Sequence, residues 1–456
     1  KWPTQGPQGF QSANSCRFNT ASSDYLTKTY STTASSKKIL TVSAWLKRST
    51  LGVIQEVFSA SRASDGYQTD MIRFGASDQL EFFSFPSSGG TTSVKTNRVF
   101  RDTSAWYNIV VMVNTTDSTA SDRVRMYVNG VRETSFATAS YPPQNDDLTP
   151  IGIASGTVHS VGAVGTSAYY SGYLAEVVYA DGQALDSSSF GEFDSQTGIW
   201  VPKIVTGLTF GNNGFYQNYS NSGALGEDFS GNDNDFTVNN LTSLDQSTDT
   251  CSTNFATLNP LMAGTSSLTY SEGNLKIVFG ASGTWYFTTS TIAATQGKWY
   301  CEVKIDAVGG QTSVGIIPME TVAVQQNAAS DYMGKESNSI GYVENGKLYK
   351  TNSVQETTST YTTNDIIGIA FNLDDNSIQF YKNGSSVGSA IALTSGLTYV
   401  VGVSGYNSST QSVNFGSPPY AISSGNTDGN GFGNFEYAVP TGFLSLNTKN
   451  LAAVLA

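Results

Sequence analysis

At 456 residues, the chain is too long for one ordinary β-sandwich and long enough for two or three domains, each able to bury a core without disulfide or metal support. Its formal net charge of −12 would repel a polyanion, which argues against nucleic-acid backbone binding. Aromatic residues make up 12% and charged residues only 13%, a balance that excludes disorder. No apolar run approaches the roughly 18–20 residues a membrane helix needs.

The opening KWPTQGPQGF reads as a linker or docking segment, residues 1–13. Strand-like runs then follow: SCRFNT, ILTVSAWLKRS (39–49), QEVFSAS (55–61), MIRFGA (71–76), QLEFFSF (79–85), WYNIVVMVN (106–114), RVRMYVNGV (123–131) and GYLAEVVYAD (172–181). Each is rich in β-branched or aromatic residues and bounded by Ser, Asp, Gly or Asn. After them comes one short helix-like stretch, LDSSSFGEFD, where Asp186 or Ser187 would cap the first turn. Residues 205–268 are dense in Asn, Asp, Gly and Ser. A second series follows: LKIVFG, GTWYFTTS, KWYCEVKID, TSVGIIP, SIGYVE, KLYKTNS, DIIGIAFNLD, SIQFYKNGS, TYVVGVSGY and SVNFG. No long segment has a 3.6-residue apolar period, so an α/β fold is excluded.

Asn-Gly recurs in MYVNGVRE, YVENGKLYK and QFYKNGSSV, and predicts three antiparallel hairpins, because both residues tolerate the positive φ of a type I′ turn. In KWYCEVKID, alternation places Trp299, Cys301, Val303 and Ile305 on one face, so Cys301 reads as a small core residue. Only Cys16 and Cys251 join it, with no CxxC spacing, a usage that fits assembly in a reducing cytoplasm.

Residues 272 to about 420 resemble a SPRY domain through GKWYCEVKID (297–306), VGI (314–316), SIGYVENGKLYK (339–350), NDIIGIAFNLDDNSIQFYKNGSSVG (364–388) and SVNFG (412–416). Asn372-Leu373-Asp374 departs from the pattern, carrying Asn where many members carry Asp. Residues 14–245 resemble a laminin-G/concanavalin-A-like domain through SCRFN, LTVSAWLKRS, FRDTSAWYNIVVMVNTT (100–116), DRVRMYVNGV and the stretch 172–200. DFSGNDNDFTVNN (228–240) adds to that resemblance. The expected architecture is all-β: two tandem concanavalin-A-like antiparallel β-sandwiches, laminin-G-like then SPRY-like. The expected boundaries are a linker at 246–271, a SPRY-like sandwich at 272–424 and a tail at 425–456. The whole string, including NFEYAVPTGFLSLNTKNL (434–451), resembles virion-associated proteins of bacteriophages in which such a domain precedes a SPRY-like one.

Chemistry is sparse. The single His, His159, lies in a Gly/Ser/Val loop with no nucleophile elbow, and one His with scattered Cys cannot build the usual zinc shell. Glycosidases need only two carboxyl groups. The concanavalin-like glucanases use E-x-D-x-x-E, but Glu192 and Asp194 lack the final acid, and Asp374 and Asp375 read as turn residues. A calcium ion would find oxygen donors in Asp228, Asn232, Asp233 and Asp235, with Asp65 and Asp70 as a lesser group; an Asx-turn loop without metal is the competing reading. Candidate ligand contacts are the loop aromatics Tyr67, Tyr169, Tyr170, Tyr332 and Tyr406.

The reading that follows is a non-enzymatic virion surface protein, assembled in the host cytoplasm. It is expected to be arrayed or oligomeric, to contact other virion proteins, and to bind a host-surface glycan or protein through its loops. No cofactor is required, with Ca²⁺ as an option, and neither nucleic acid nor membrane insertion is expected. The alternatives are a purely structural virion or appendage component, a polysaccharide depolymerase, and a bacterial adhesin.

Overall fold

A β-strand presents alternate residues to opposite faces, and the long strand Ile39–Arg48 buries every residue after its first. It therefore needs cover on both sides. The computed structural model describes residues 9–62, 68–85, 90–152, 157–262, 267–281, 283–325 and 331–455, and the chain divides between Ser252 and Thr253 into two units.

In the first unit one sheet runs Val131–Arg132, Val124–Val128, Tyr107–Asn114, Ile39–Arg48, Gly172–Asp181, Ser15–Phe18, Gln246–Ser247, with Phe215–Gln217 also paired to Gly172–Asp181. The facing sheet runs Phe136–Ser140, Thr92–Val99, Gln79–Phe85, Gln68–Phe74, Gln55–Arg62, Val158–Val161, Tyr25–Thr29, Thr237–Asn239. Leu40, Val42, Ala44 and Leu46 meet Ile72, Phe74, Leu80 and Phe82 between them. The outer face of the first sheet carries its own small core of Val110, Val178, Phe190 and Tyr216, packed by Leu185, Val205, Leu208 and Phe210. The polar middle of the chain is thus a covering layer.

That layer also neutralises charge. Arg17, Tyr173 and Lys47 lie in register across three strands. Lys47 Nζ is 2.6 Å from Asp249 Oδ2, both side chains are about 1% exposed, and the ammonium lies 5.3 Å over the Tyr173 ring. Trp106 Nε1 donates to the other Asp249 oxygen at 3.1 Å, and Arg17 donates to the Leu244 carbonyl at 2.8 Å. Nearby, a bulge in Gly172–Asp181 holds Glu176 at φ 49°, where its buried carboxylate accepts from Ser12 Oγ and the Tyr216 hydroxyl.

In the second unit one sheet runs Leu268–Ser271, Lys276–Phe279, Thr410–Asn414, Lys298–Ala307, Ile366–Asn372, Ser377–Lys382, Ser385–Ala392. The other runs Tyr286–Ala294, Tyr399–Tyr406, Gln311–Pro318, Ile340–Val343, Lys347–Lys350, Ser353–Thr357. Trp299, Cys301, Val303 and Ile305 all face the core, as their alternation predicts. Glu302, on the opposite face, is fully buried and accepts from the Glu436 and Tyr437 amides at 3.0 and 2.8 Å. The segment expected to be a tail from 425 is therefore folded onto this sheet, and Leu444–Ser445 adds a short parallel strand to Lys298–Ala307.

Asn129-Gly130 and Asn383-Gly384 both adopt the positive φ pair of a type I′ turn. The third hairpin forms differently: only Gly346 is left-handed, and its amide closes a turn onto Val343 O at 3.0 Å. Asp186 caps a 3₁₀ turn at Ser187–Ser189, accepting from Ser188 N at 2.9 Å. The stretch after it departs from the expected helix, because Gly191–Phe193 pairs with Trp200–Pro202 as a hairpin. Helices also form at Thr149–Gly152, Met319–Gln325 and Thr448–Leu455, each too short for a clear apolar period.

Replacing Asp249 by Ala leaves the Lys47 ammonium buried without its partner, which costs about 3–5 kcal/mol. Denaturant unfolding is expected to show that loss, and a Lys47→Met, Asp249→Ala double variant is expected to recover most of it.

Candidate functional site

Three glycines lie side by side across the outer face of a second-unit sheet: Gly402 pairs with Gly315, and Gly315 with Gly341. With no side chains there, the segment beginning at Asp331 crosses the sheet in direct contact with it. A Cβ on Gly402 would overlap Met333 Sδ, and one on Gly341 would overlap the Met333 carbonyl oxygen. Met333 is fully buried. Its amide donates to Ser313 Oγ at 2.9 Å and Ser404 Oγ at 3.0 Å, while Gly334 N donates to Ser339 Oγ at 2.9 Å. These bonds fix the segment on the face.

Tyr332, the residue before Met333, is thereby held among three other half-buried rings. Its centroid is 5.4 Å from Trp285 and 5.4 Å from Tyr349, and Trp285 lies 5.3 Å from Tyr406. The Tyr332 hydroxyl donates to Asn352 Oδ1 at 2.8 Å. Two of the five tyrosines singled out from the sequence, Tyr332 and Tyr406, are therefore brought together. Trp285 and Tyr349 were missed. Trp285 stands at the mouth of a strand in GTWYFTTS, and Tyr349 is the outward position of KLYK, signals that become visible only once the faces are assigned.

The other aromatic candidates divide. Tyr170 is not a loop contact: it is fully buried and its hydroxyl donates to Lys47 O at 3.2 Å. Burial of the loop that follows Gly162 against the core overrides its polar local sequence. Tyr169 is half-buried and packs against Tyr25 at 5.7 Å. Tyr67 and Asp65 lie outside the described residues.

The four oxygen-rich residues proposed for calcium act as turn formers. Asp228 accepts from the amides of Tyr216, Ser230 and Asn234 and from Ser230 Oγ, while Asp235 accepts from the Asp228 amide. The Asn232 side chain donates to the carbonyls of Gly211 and Gly214 at 2.7 and 3.0 Å, and Asp233 is an exposed left-handed turn residue. Among the described residues no group of three or more His, Cys, Asp or Glu side chains is placed to hold a metal ion. Asp70 is buried, accepts from Ser84 Oγ at 2.5 Å and Ile151 N at 3.0 Å, and burial raises its pKa to about 6.

Most groups with catalytic potential are buried or hydrogen-bonded. His159 belongs to the strand Val158–Val161, not a loop, and is fully buried edge-on to Tyr30 at 4.7 Å; burial lowers its pKa to about 4. Asp194 accepts from the amides of Gln196 and Thr197, and Glu192 is exposed. Asp374 accepts from Gly297 N at 2.7 Å, and Asp375 from Asn372 Nδ2 at 2.7 Å. Burial pushes the thiols of Cys16, Cys251 and Cys301 up. A carboxylate pair does exist on the first unit: Arg73 stands between Glu56, 3.9 Å away, and Glu81, 2.9 Å away. Both acids are buried, at 1% and 3% exposure, and burial holds the Glu56 pKa up at about 8.

Two stability tests follow. The folded state retains the Glu56 proton that the unfolded chain releases between its ordinary pKa of 4.5 and about 8, so stability falls as pH rises through that window. Above the Asp70 range near 6, Glu56→Gln is expected to flatten the slope of unfolding free energy against pH. Gly341→Ala is expected to cost about 1–3 kcal/mol by overpacking, and to raise amide exchange around Met333.

A family model for the SPRY domain matches residues 298–418, and one described as the concanavalin A-like lectin/glucanases superfamily, of laminin G type, matches residues 20–187. The two antiparallel sandwiches described above correspond to these two domains in tandem. Similar solved structures include the SPRY domain of human HERC1, at 19% identity over 34% of this chain and 96% of that chain with a TM-score of 0.29. Stonustoxin is 15% identical over 35% of this chain and 27% of its own, with a TM-score of 0.28. The PSpry domain of TRIM65 is 12% identical over 35% and 89%, also at 0.28. No curated protein matches the chain.

Proposed function

We propose that this chain is a recognition protein carried on a bacteriophage particle, and that the Trp285, Tyr332, Tyr349 and Tyr406 cluster contacts a ligand on the host surface, a glycan or a protein. The observation that carries this reading is the cluster itself. Four half-buried aromatic rings stand together on one sheet face, with Tyr332 held there by the pinned segment, an arrangement that supplies contact area at low entropic cost. Lectin-like and SPRY domains in tandem favour binding as the role. Placement on a virion rests on the resemblance of the whole string to phage proteins.

In this reading the chain catalyses nothing. The Glu56 and Glu81 carboxyls are buried away from any polysaccharide, and His159 is enclosed by rings. No resident cofactor is invoked. The charge of −12 keeps the protein off nucleic acid, and no described helix is long and apolar enough to cross a membrane. Arrayed copies on a particle, in contact with other virion proteins, convert weak single contacts into tight attachment through effective concentration.

One observation favours a second reading, a structural appendage component without a host ligand. The edge strand Phe136–Ser140 is uncharged, mostly exposed and open to pairing with another subunit.

Attachment of the full chain to host cells, measured with monomeric and multimerised protein, separates the two. Trp285→Ala and Tyr332→Ala are expected to abolish multimer attachment while the melting temperature stays close to that of the parent. Attachment unchanged by both substitutions would count against the recognition reading, and immunogold labelling that misses the particle would count against the virion placement.

A further inference from the structure

The four rings form a file, Tyr406, Trp285, Tyr332, Tyr349, with successive centroids 5.3, 5.4 and 5.4 Å apart. The polar groups along it are of one kind. Among the described residues, the Trp285 indole N–H, the Tyr349 and Tyr406 hydroxyls, the Asn352 amide nitrogen and the exposed Asn407 amide have no protein partner. All are neutral donors or mixed donor–acceptors. The carboxylate next to Tyr332, that of Asp331, is buried and held 2.5 Å from Lys335 Nζ. With Lys335 paired to Asp331, Lys347 shares the sheet face of Tyr349, where a polyanion would need several unpaired cations.

The position on the sheet narrows the ligand further. Tyr399–Tyr406 is flanked by Tyr286–Ala294 and Gln311–Pro318, and Lys347–Lys350 by Ile340–Val343 and Ser353–Thr357. Strand addition is therefore closed beside Tyr406 and Tyr349, whereas Trp285 precedes the terminal strand Tyr286–Ala294. The rings and their neutral polar groups fit a ligand with apolar faces, many neutral hydroxyls or amides along its rim, and enough length to touch successive rings.

Resting on the recognition reading above, we propose that the Tyr406–Trp285–Tyr332–Tyr349 file binds an uncharged oligosaccharide lengthwise. Sugar ring faces pack on the aromatic side chains, and their hydroxyls bond to the indole N–H, the phenol hydroxyls and the Asn352 and Asn407 amides. Because each ring adds a contact, affinity rises with chain length and is insensitive to salt.

The test is calorimetric titration of the full chain with neutral glucan and N-acetylglucosamine oligosaccharides of increasing length, their monosaccharides, and a sulfated oligosaccharide of matched length. Trp285 fluorescence is followed in parallel. The expected result is binding of a neutral series that tightens with length and survives high salt. Trp285→Ala and Tyr349→Ala are expected to weaken it about tenfold or more, and Tyr406→Phe less, with melting temperatures unchanged. Binding confined to the sulfated sugar, or abolished by salt, would overturn the proposal. If no sugar binds but Trp285→Ala still loses host-cell attachment, the oligosaccharide assignment is wrong while recognition at this cluster stands, with a protein as the ligand. If Trp285→Ala changes neither sugar binding nor attachment, both readings fail together.

Discussion

Alternation along a strand sends neighbouring side chains to opposite faces, so a central strand buried along its whole length commits the fold to two interiors. Ile39–Arg48 is such a strand from its second residue on, and Lys298–Ala307 is one from Trp299 to Val303. Their inner faces fill the two sandwiches. Their outer faces carry Lys47 in one unit and Glu302 in the other, each about 1% exposed or less. A buried charge is tolerable only when paired or hydrogen-bonded, so each outer face dictates what covers it. Asp249 is brought to Lys47 by the segment after residue 242, and the amides of residues 436 and 437 are brought to Glu302 by the C-terminal segment.

The same requirement, met in the opposite way, produces the aromatic cluster. Where Gly402, Gly315 and Gly341 align, the outer face offers bare backbone instead of a charge. Met333 fills that space, and its amide is spent on two serine hydroxyls. Tyr332 is then carried to a fixed position between Trp285 and Tyr349. A recognition surface built on a sheet face in this way is preorganised, and little ordering entropy is lost on binding.

Strongly shifted titratable groups often mark active sites, but here they mark the interior. Glu56, Asp70 and His159 are shifted mainly by desolvation, and each is packed inside the first sandwich or under its loops. The shifts bear on stability against pH. The aromatic cluster, in contrast, contains no charged group and works through shape and neutral hydrogen bonds.

Much of this was written into local sequence. The strand runs, the inward face of Trp299, Cys301, Val303 and Ile305, and the type I′ turns at Asn129-Gly130 and Asn383-Gly384 depend on residues within a few positions of one another, so a period of two and a turn propensity suffice to read them. Tyr170 and His159 were misplaced because polar neighbours made both segments look like loops, although long-range packing buries them. The Asp228 loop was read correctly as oxygen-rich, but a sequence does not reveal whether those oxygens face a cation or backbone amides. The file of rings at 285, 332, 349 and 406 joins positions up to 121 residues apart (406 − 285). The sequence by itself determined the two sandwiches, because alternation and turn chemistry are local. Only the tertiary structure decided the site, because strand register and the crossing of Met333 over the glycine row are what bring those four rings together.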